Sequence, residues 1–308
     1  MVSLSLTSSN TMPITRQALS IFAYPFRKYT IPTISFSHFP PKRHRSFCQY
    51  THSLSAVSDP NPRNRSPEAI ALEYSDLNLP HSTSEEVGPV RIRQHVNPLS
   101  AYFSTPVEVP NWNEVYEDTK LPLMVDIGSG SGRFLMWLAK RNLHSKNYLG
   151  LEIRKKLALR AEDWAKEQSL RNLHYMFANA TISFKQLISA YPGPLMLVSI
   201  LCPDPHFKKK HHKRRVLQKP LVDSIVNCLA PGGQVFIQSD VLEVALDMRN
   251  HFDAEPDIFA HVSNIDASIA CDDEGWLLRN PMGIRTEREI HAELEGAKIY
   301  RRMYQKRK

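Results

Sequence analysis

Three observations predict an α/β fold, a mainly parallel sheet with helices on both faces: apolar runs that do not alternate, helical stretches between them, and acids at the ends of the runs. Leu123–Ile127 (LMVDI) and Leu195–Leu201 (LMLVSIL) are almost wholly apolar, as strands buried on both faces are. Helical spacing follows each run, and strands alternating with helices join into a parallel sheet through crossover units. Glu152, Asp204 and Asp240 stand at or just beyond the ends of three such runs, at the edge where open α/β sheets bind ligands.

The whole chain bounds the reading. Its 308 residues, 42% of them hydrophobic, suffice for a sizeable core. The net charge of +8 is unevenly spread: residues 1–58 carry six Lys and Arg and no acid, and the remainder holds 33 basic against 31 acidic residues. Cys48, Cys202, Cys228 and Cys271 are scattered without a C-x-x-C pair, which supports neither a disulfide framework nor a zinc site; no metal is expected. No apolar run approaches the roughly 18 residues of a membrane span, so no membrane partner is expected.

Residues 1–58 are rich in Ser and Thr and free of acids, the composition of an organellar transit peptide. Ser and Thr dominate and Arg follows no amphipathic spacing, which favours the chloroplast over the mitochondrion; a plain disordered tail is the competing reading. Residues 59–89, dominated by Pro, Asn, Ser and Glu, are expected to form a disordered linker. The domain is therefore placed at 90–308, opened by a basic lead-in containing Arg91 and Arg93.

The first strand runs directly into Gly128-Ser129-Gly130-Ser131-Gly132 and a helix to about Lys140. Such glycines let backbone approach a ligand, and the preceding Asp126 can hold a cationic or hydroxylated group. The spacing G-x-G-x-G, not G-x-G-x-x-G, disfavours a dinucleotide. A second strand, 147–151, ends at Glu152, about 20 residues past the glycines, where a ribose-binding acid is expected. Leu157, Ala158, Ala161, Trp164 and Ala165 then fall at helical spacing. A third strand, about 174–177, leads to Ala178-Asn179-Ala180, where Asn179 either reads the edge of a base or caps the next helix.

The fourth strand, Leu195–Leu201, stops at Pro203-Asp204-Pro205-His206-Phe207, and Lys208, Lys209, Lys210, His211, His212, Lys213, Arg214 and Arg215 follow. No acid occurs between Asp204 and Asp223, so one carboxylate stands beside a strongly positive loop, a suitable place for chemistry on a polyanion. A solvated surface or a localisation signal has the same charge pattern. After it come a helix over 217–229 stopped by Pro231-Gly232-Gly233, a strand over 234–238, a helix over 241–252 and a strand over 258–263. The stretch 264–283 reads as a long loop. Thr286-Glu287-Arg288-Glu289 has the spacing of a helix-capping box, and a strand over 298–305 closes the sheet.

VDIGSGSG at 125–132, LGLEIR at 149–154, FANA at 177–180, PDPHFKKKHHKRR at 203–215, QSD at 238–240 and TERE at 286–289 together resemble the tRNA (guanine-N(7)-)-methyltransferase family. The resemblance implies a Rossmann-like class I methyltransferase fold with an antiparallel last strand, with S-adenosyl-L-methionine as methyl donor and nitrogen-7 of guanine 46 in the tRNA variable loop as acceptor. It further implies that Asp126, Gly128, Gly130, Glu152, Arg154, Asn179, Ala180 and Asp204 line the cofactor site, with Asp204 at the catalytic position. Lys208, Asp240, Thr286, Glu287, Arg288 and Glu289 match substrate-binding positions. The remaining basic residues, Lys209, Lys210, Lys213, Arg214 and Arg215, are expected on RNA phosphates. Members often carry Glu where this chain has Asp126, Asp where it has Asn179, and Trp where it has His206. Two rival readings are a class I methyltransferase acting on another acceptor and a non-catalytic RNA-binding protein on the same fold.

Overall fold

The computed structural model describes residues 62–79, 96–266 and 269–308. The expected transit peptide at 1–58, residues 80–89 of the expected linker and the lead-in arginines Arg91 and Arg93 lie outside the described residues. The elements described below belong to one compact unit.

Seven strands form the sheet. β1 (Leu123–Ile127), β2 (Asn147–Glu152), β3 (Leu173–Phe177), β4 (Leu195–Leu201) and β5 (Leu229–Ser239) run parallel, and β9 (Tyr300–Lys306) lies antiparallel between β5 and β6 (Phe259–His261). The order is β3-β2-β1-β4-β5-β9-β6. Strand order thus reverses between β1 and β4, the switch point at which a crevice opens beyond the carboxyl ends. The expected antiparallel last strand is present.

Right-handed crossovers running outward in opposite directions from the β1/β4 pair put the helices of the two halves on opposite faces. α3 (Arg133–Arg141) and α4 (Lys155–Glu167) pack on β2 and β3. Along the other half, α5 (Ala180–Ser189) packs on α6 (Lys219–Cys228), and α7 (Leu242–Asp253) on β5 and β9. All five residues of β1 are buried. Val125, Leu149, Val198 and Val235 form one apolar row through the centre, all fully buried. At about 25 cal/mol per Å² of apolar surface removed from water, such rows supply the main drive for folding.

Two segments depart from expectation. The stretch 62–79, expected as linker, contains α1 (Pro62–Glu73) and a turn that buries Tyr74 and Leu77. Composition argued against order there because it counted polar residues, whereas two apolar anchors and an acid suffice to seat the helix. Glu73 pairs with Arg285 at 2.6 Å, and α1 lies on α8 (Glu287–Leu294). Within 264–283, expected as loop, β7 (Asn264–Asp266) and β8 (Ile269–Ala270) form a small antiparallel pair. β5 also starts earlier than expected, at Leu229, because the positive φ of Gly232 lets Pro231-Gly232-Gly233 continue as an irregular strand beside β4.

Candidate active site

The glycine turn forms the floor. Gly128, Gly130 and Gly132 have φ of 84, 58 and 86, a region that glycine enters without steric penalty. A Cβ at Gly132 would stand 2.6 Å from Ala161 Cβ, so this glycine lets turn and α4 close together. At Gly128 the same Cβ would meet nothing within 4 Å, because that backbone borders a cavity.

The cavity, of about 140 Å³, lies at the carboxyl ends of β1 to β4. Gly128, Glu152, Arg154, Asn179 and Ala180 line one side; Cys202, Asp204, His206 and Arg214 line the other. Glu152 is buried, with 2% of its surface exposed. Its Oε2 accepts from the Gly130 N–H at 2.8 Å, and its Oε1 accepts from the Arg154 N–H and Nε, both at 2.9 Å. This carboxylate therefore anchors the middle of the glycine turn and holds Arg154 over the cavity. Asn179 caps α5, its Oδ1 accepting from Thr181 N–H at 3.2 Å, while its Nδ2 donates to the Pro98 and Phe103 carbonyls. The capping reading is the one its oxygen fulfils, and its amide nitrogen ties the 98–103 segment to the cavity rim.

Asp204 is exposed at the cavity edge on a loop held from both ends. Cys202 and His206 flank it with φ of 50 and 45, left-handed conformations that cost roughly 1–3 kcal/mol each outside glycine. The Cys202 N–H donates to the Gln238 carbonyl at 2.7 Å, and Arg215 Nε donates to the Pro205 carbonyl at 2.9 Å. Burial pushes the Cys202 thiol up to about 12, so it stays protonated at neutral pH. Phe207 projects with 68% of its surface exposed, a flat apolar face beside the acid that can stack on a base.

Several expected site residues are placed otherwise. Asp126 does not reach the cavity: it is buried beneath the turn, accepts from Ser199 Oγ at 2.6 Å, and burial pushes its carboxyl up to about 7. Arg215 is no phosphate contact. Only 6% exposed, it is held by Glu243 at 2.7 Å and Asp247 at 3.1 Å, and it braces Pro205. Glu289 is fully buried, accepting from Gln238, Asn280 and Arg301, so substrate cannot reach it. With Thr286 it closes the capping box that begins α8, which gives the Thr286 hydroxyl a structural role. Sequence spacing shows neither this burial nor this pairing.

The lysines of the basic turn keep accessible positions. Lys208, Lys209, Lys210 and Lys213 are exposed on a 3-10 turn, Lys209–Arg214, beside the cavity, and Arg214 reaches its wall. Arg288 and Asp240 pair with each other, Nε to Oδ2 at 3.0 Å. Glu287 accepts from Ser131 Oγ at 2.7 Å and pairs with Arg133, joining α8 to the glycine turn. Phe103 escaped sequence reading, and Pro98 and Phe207 were visible only as members of longer stretches. The only cue was Asn97-Pro98 ahead of an aromatic pair.

A methyltransferase family model, described as "Putative methyltransferase", matches residues 120–302. A Synechocystis protein named tRNA (guanine-N(7)-)-methyltransferase is 44% identical over 219 residues, covering 70% of this chain and 98% of that relative. A Synechococcus elongatus protein of the same name is 44% identical over 216 residues, covering 70% and 96%. The chain belongs to the tRNA (guanine-N(7)-)-methyltransferase family. Among solved structures, the 16S rRNA methyltransferase KamB aligns with a TM-score of 0.43 at 14% identity, covering 66% of this chain and 96% of that one. In this family member the sheet combines parallel strands with one antiparallel strand near its end. Among the described residues no group of His, Cys, Asp and Glu is placed to hold a metal ion, and no helix is long and apolar enough to cross a membrane.

Proposed function

We propose that this chain methylates nitrogen-7 of guanine 46 in the tRNA variable loop, with S-adenosyl-L-methionine as donor and Asp204 aligning the acceptor base. The observation that carries the reading is the sharing of one cavity by Gly128, Glu152 and Asp204, with exposed lysines beside it.

The residues fit the donor. Gly128 leaves room where a Cβ would intrude, and Glu152 holds a buried carboxylate at the cavity floor. The donor supplies an electrophilic methyl on a sulfonium, which leaves as a neutral thioether when the methyl passes to nitrogen-7. Guanine nitrogen-7 already carries a lone pair, so no base need remove a proton before attack. The protein's task is alignment, an effect that can supply about 7–11 kcal/mol. Asp204, fixed between two left-handed residues, can accept from the guanine ring and amino N–H groups and offset the positive charge that the ring acquires. Lys208, Lys209, Lys210 and Lys213 hold phosphates and set register without reading sequence.

The test is mass spectrometry of tRNA nucleosides after incubation with donor, followed by mapping of the modified position. We expect 7-methylguanosine at position 46. A methyl group on an exocyclic amine, or none, would remove the reading. The composition of 1–58 supports delivery to the chloroplast, which a fluorescent fusion of that segment tests; a mitochondrial signal would reassign it.

A further inference from the structure

Arg160, on α4, is buried with 8% of its surface exposed, yet its Nε and Nη2 have no hydrogen-bond partner among the described residues. Those two nitrogens form the side-on edge of the guanidinium, the fork that matches two oxygens of a phosphate or carboxylate. Buried charged donors are nearly always paired, because an unpaired one forfeits hydration without compensation. An edge kept whole and shielded therefore calls for an anion.

Its surroundings are built for one. Trp164, one turn along α4, has the Arg160 guanidinium 4.6 Å from its ring centroid and that of Arg133 at 4.9 Å. One indole thus carries two cations. Arg133 spends its charge on Glu287, and Arg154 spends its own on Glu152. Burial, together with Arg133 and Arg154, lowers the pKa of Arg160 against the pull of Glu287, whereas Arg154 has Glu152, Asp204 and Glu287 acting on it. The unbalanced charge belongs to Arg160.

We propose that Arg160 and Arg133, seated on Trp164, form a second phosphate-binding site, distinct from the lysine-bearing turn, that takes a backbone phosphate of the RNA substrate. Neither arginine nor Trp164 lines the cavity of Gly128, Glu152 and Asp204, so a donor bound there lies out of reach, whereas a polynucleotide extends past it. Arg133, with 24% of its side chain exposed, is the outer member. A phosphate arriving at Arg133 approaches the shielded, unpaired edge of Arg160. The inference rests on the proposed tRNA reading and adds where on the fold a further stretch of that RNA lies.

The test uses the full chain and unmodified tRNA. Binding is followed by fluorescence anisotropy across a salt series, donor affinity by calorimetry, and the thermal midpoint as a folding control. In Arg160→Gln, tRNA affinity should fall roughly tenfold near 0.15 M salt and the salt slope should shrink by about 1. Donor affinity should not change, and the thermal midpoint should hold or rise, since an unpaired buried charge has been removed. Arg160→Lys keeps the charge without the fork and should restore the slope but not the full affinity. An unchanged slope and affinity in Arg160→Gln, or a loss confined to the donor, overturns the seat. A wild-type chain that does not bind tRNA overturns the parent reading and the seat together, so the two failures are distinguishable.

Discussion

Ser131 in the glycine turn donates its hydroxyl to Glu287 at the start of α8, over 2.7 Å and across 156 residues of sequence. Glu287 also holds Arg133, so the turn that borders the cavity is tied to a helix from the far end of the chain. A shift of α8 must then be felt in the turn, and Glu287→Ala, which removes both ties, should weaken donor binding several-fold with little loss of thermal stability. Calorimetry with the donor and a melting curve check both halves.

Asp204→Ala should lower turnover by about 10²–10³, the range for losing one group aimed at developing charge. Donor affinity should change far less. Turnover near the wild-type rate would refute the alignment role, because no other acid stands on the 203–215 loop.

Replacing Lys209, Lys210 and Lys213 together with Ala should reduce the salt slope of tRNA binding by about 3, close to one per phosphate released. Arg215→Met should leave that slope alone and instead lower the thermal midpoint, since it strands Glu243 and Asp247 and frees Pro205. The contrast separates a phosphate-binding cation from a bracing one eight or fewer residues away in sequence.

Asp126 carries a pH dependence. Burial lifts its carboxyl from 3.8 to about 7 in the folded chain, so between those values the native state holds a proton that the unfolded state has released. Stability from this group is therefore full below pH 4 and declines as pH rises toward 7. Asp126→Asn, which can still accept from Ser199, should flatten stability in that window and raise the melting temperature at pH 8. An unaltered pH profile, measured by thermal melts between pH 4 and 8, would contradict it.

Gly150 on β2 faces Tyr175, and a Cβ there would stand 2.4 Å from the Tyr175 ring. Gly150→Ala should therefore cost about 1–3 kcal/mol through overpacking, read as a lower denaturation midpoint. Tyr175 also donates to the Gly132 carbonyl, so the same variant should loosen the turn and reduce donor affinity.

The strands β1 and β4 were legible because buried parallel strands announce themselves as nearly unbroken apolar runs, and Glu152 and Asp204 because strand ends are visible in the pattern. What escaped was pairing. The run from Lys208 to Arg215 reads as uniform charge, yet the fold turns Arg215 inward against two acids and leaves the lysines outside. Glu289 and Asp126 look like site carboxylates until Arg301 and Ser199 are seen to occupy them. Arg160 falls within an ordinary helical pattern, and only its burial without a hydrogen bond to Nε or Nη2 among the described residues sets it apart.

The seating of α1 bears on where the chain can be shortened. Glu73 grips the Arg285 side chain, Arg285 also reaches Glu293 at 3.0 Å, and the Tyr74 hydroxyl donates to the Arg285 carbonyl, one residue before the cap that begins α8. A form trimmed at its amino terminus beyond Asn78 would bare the hydrophobic socket of Leu77 and strip the guanidinium of one of its two acids, so the start of α8 keeps its support only in forms that retain Glu73 to Leu77.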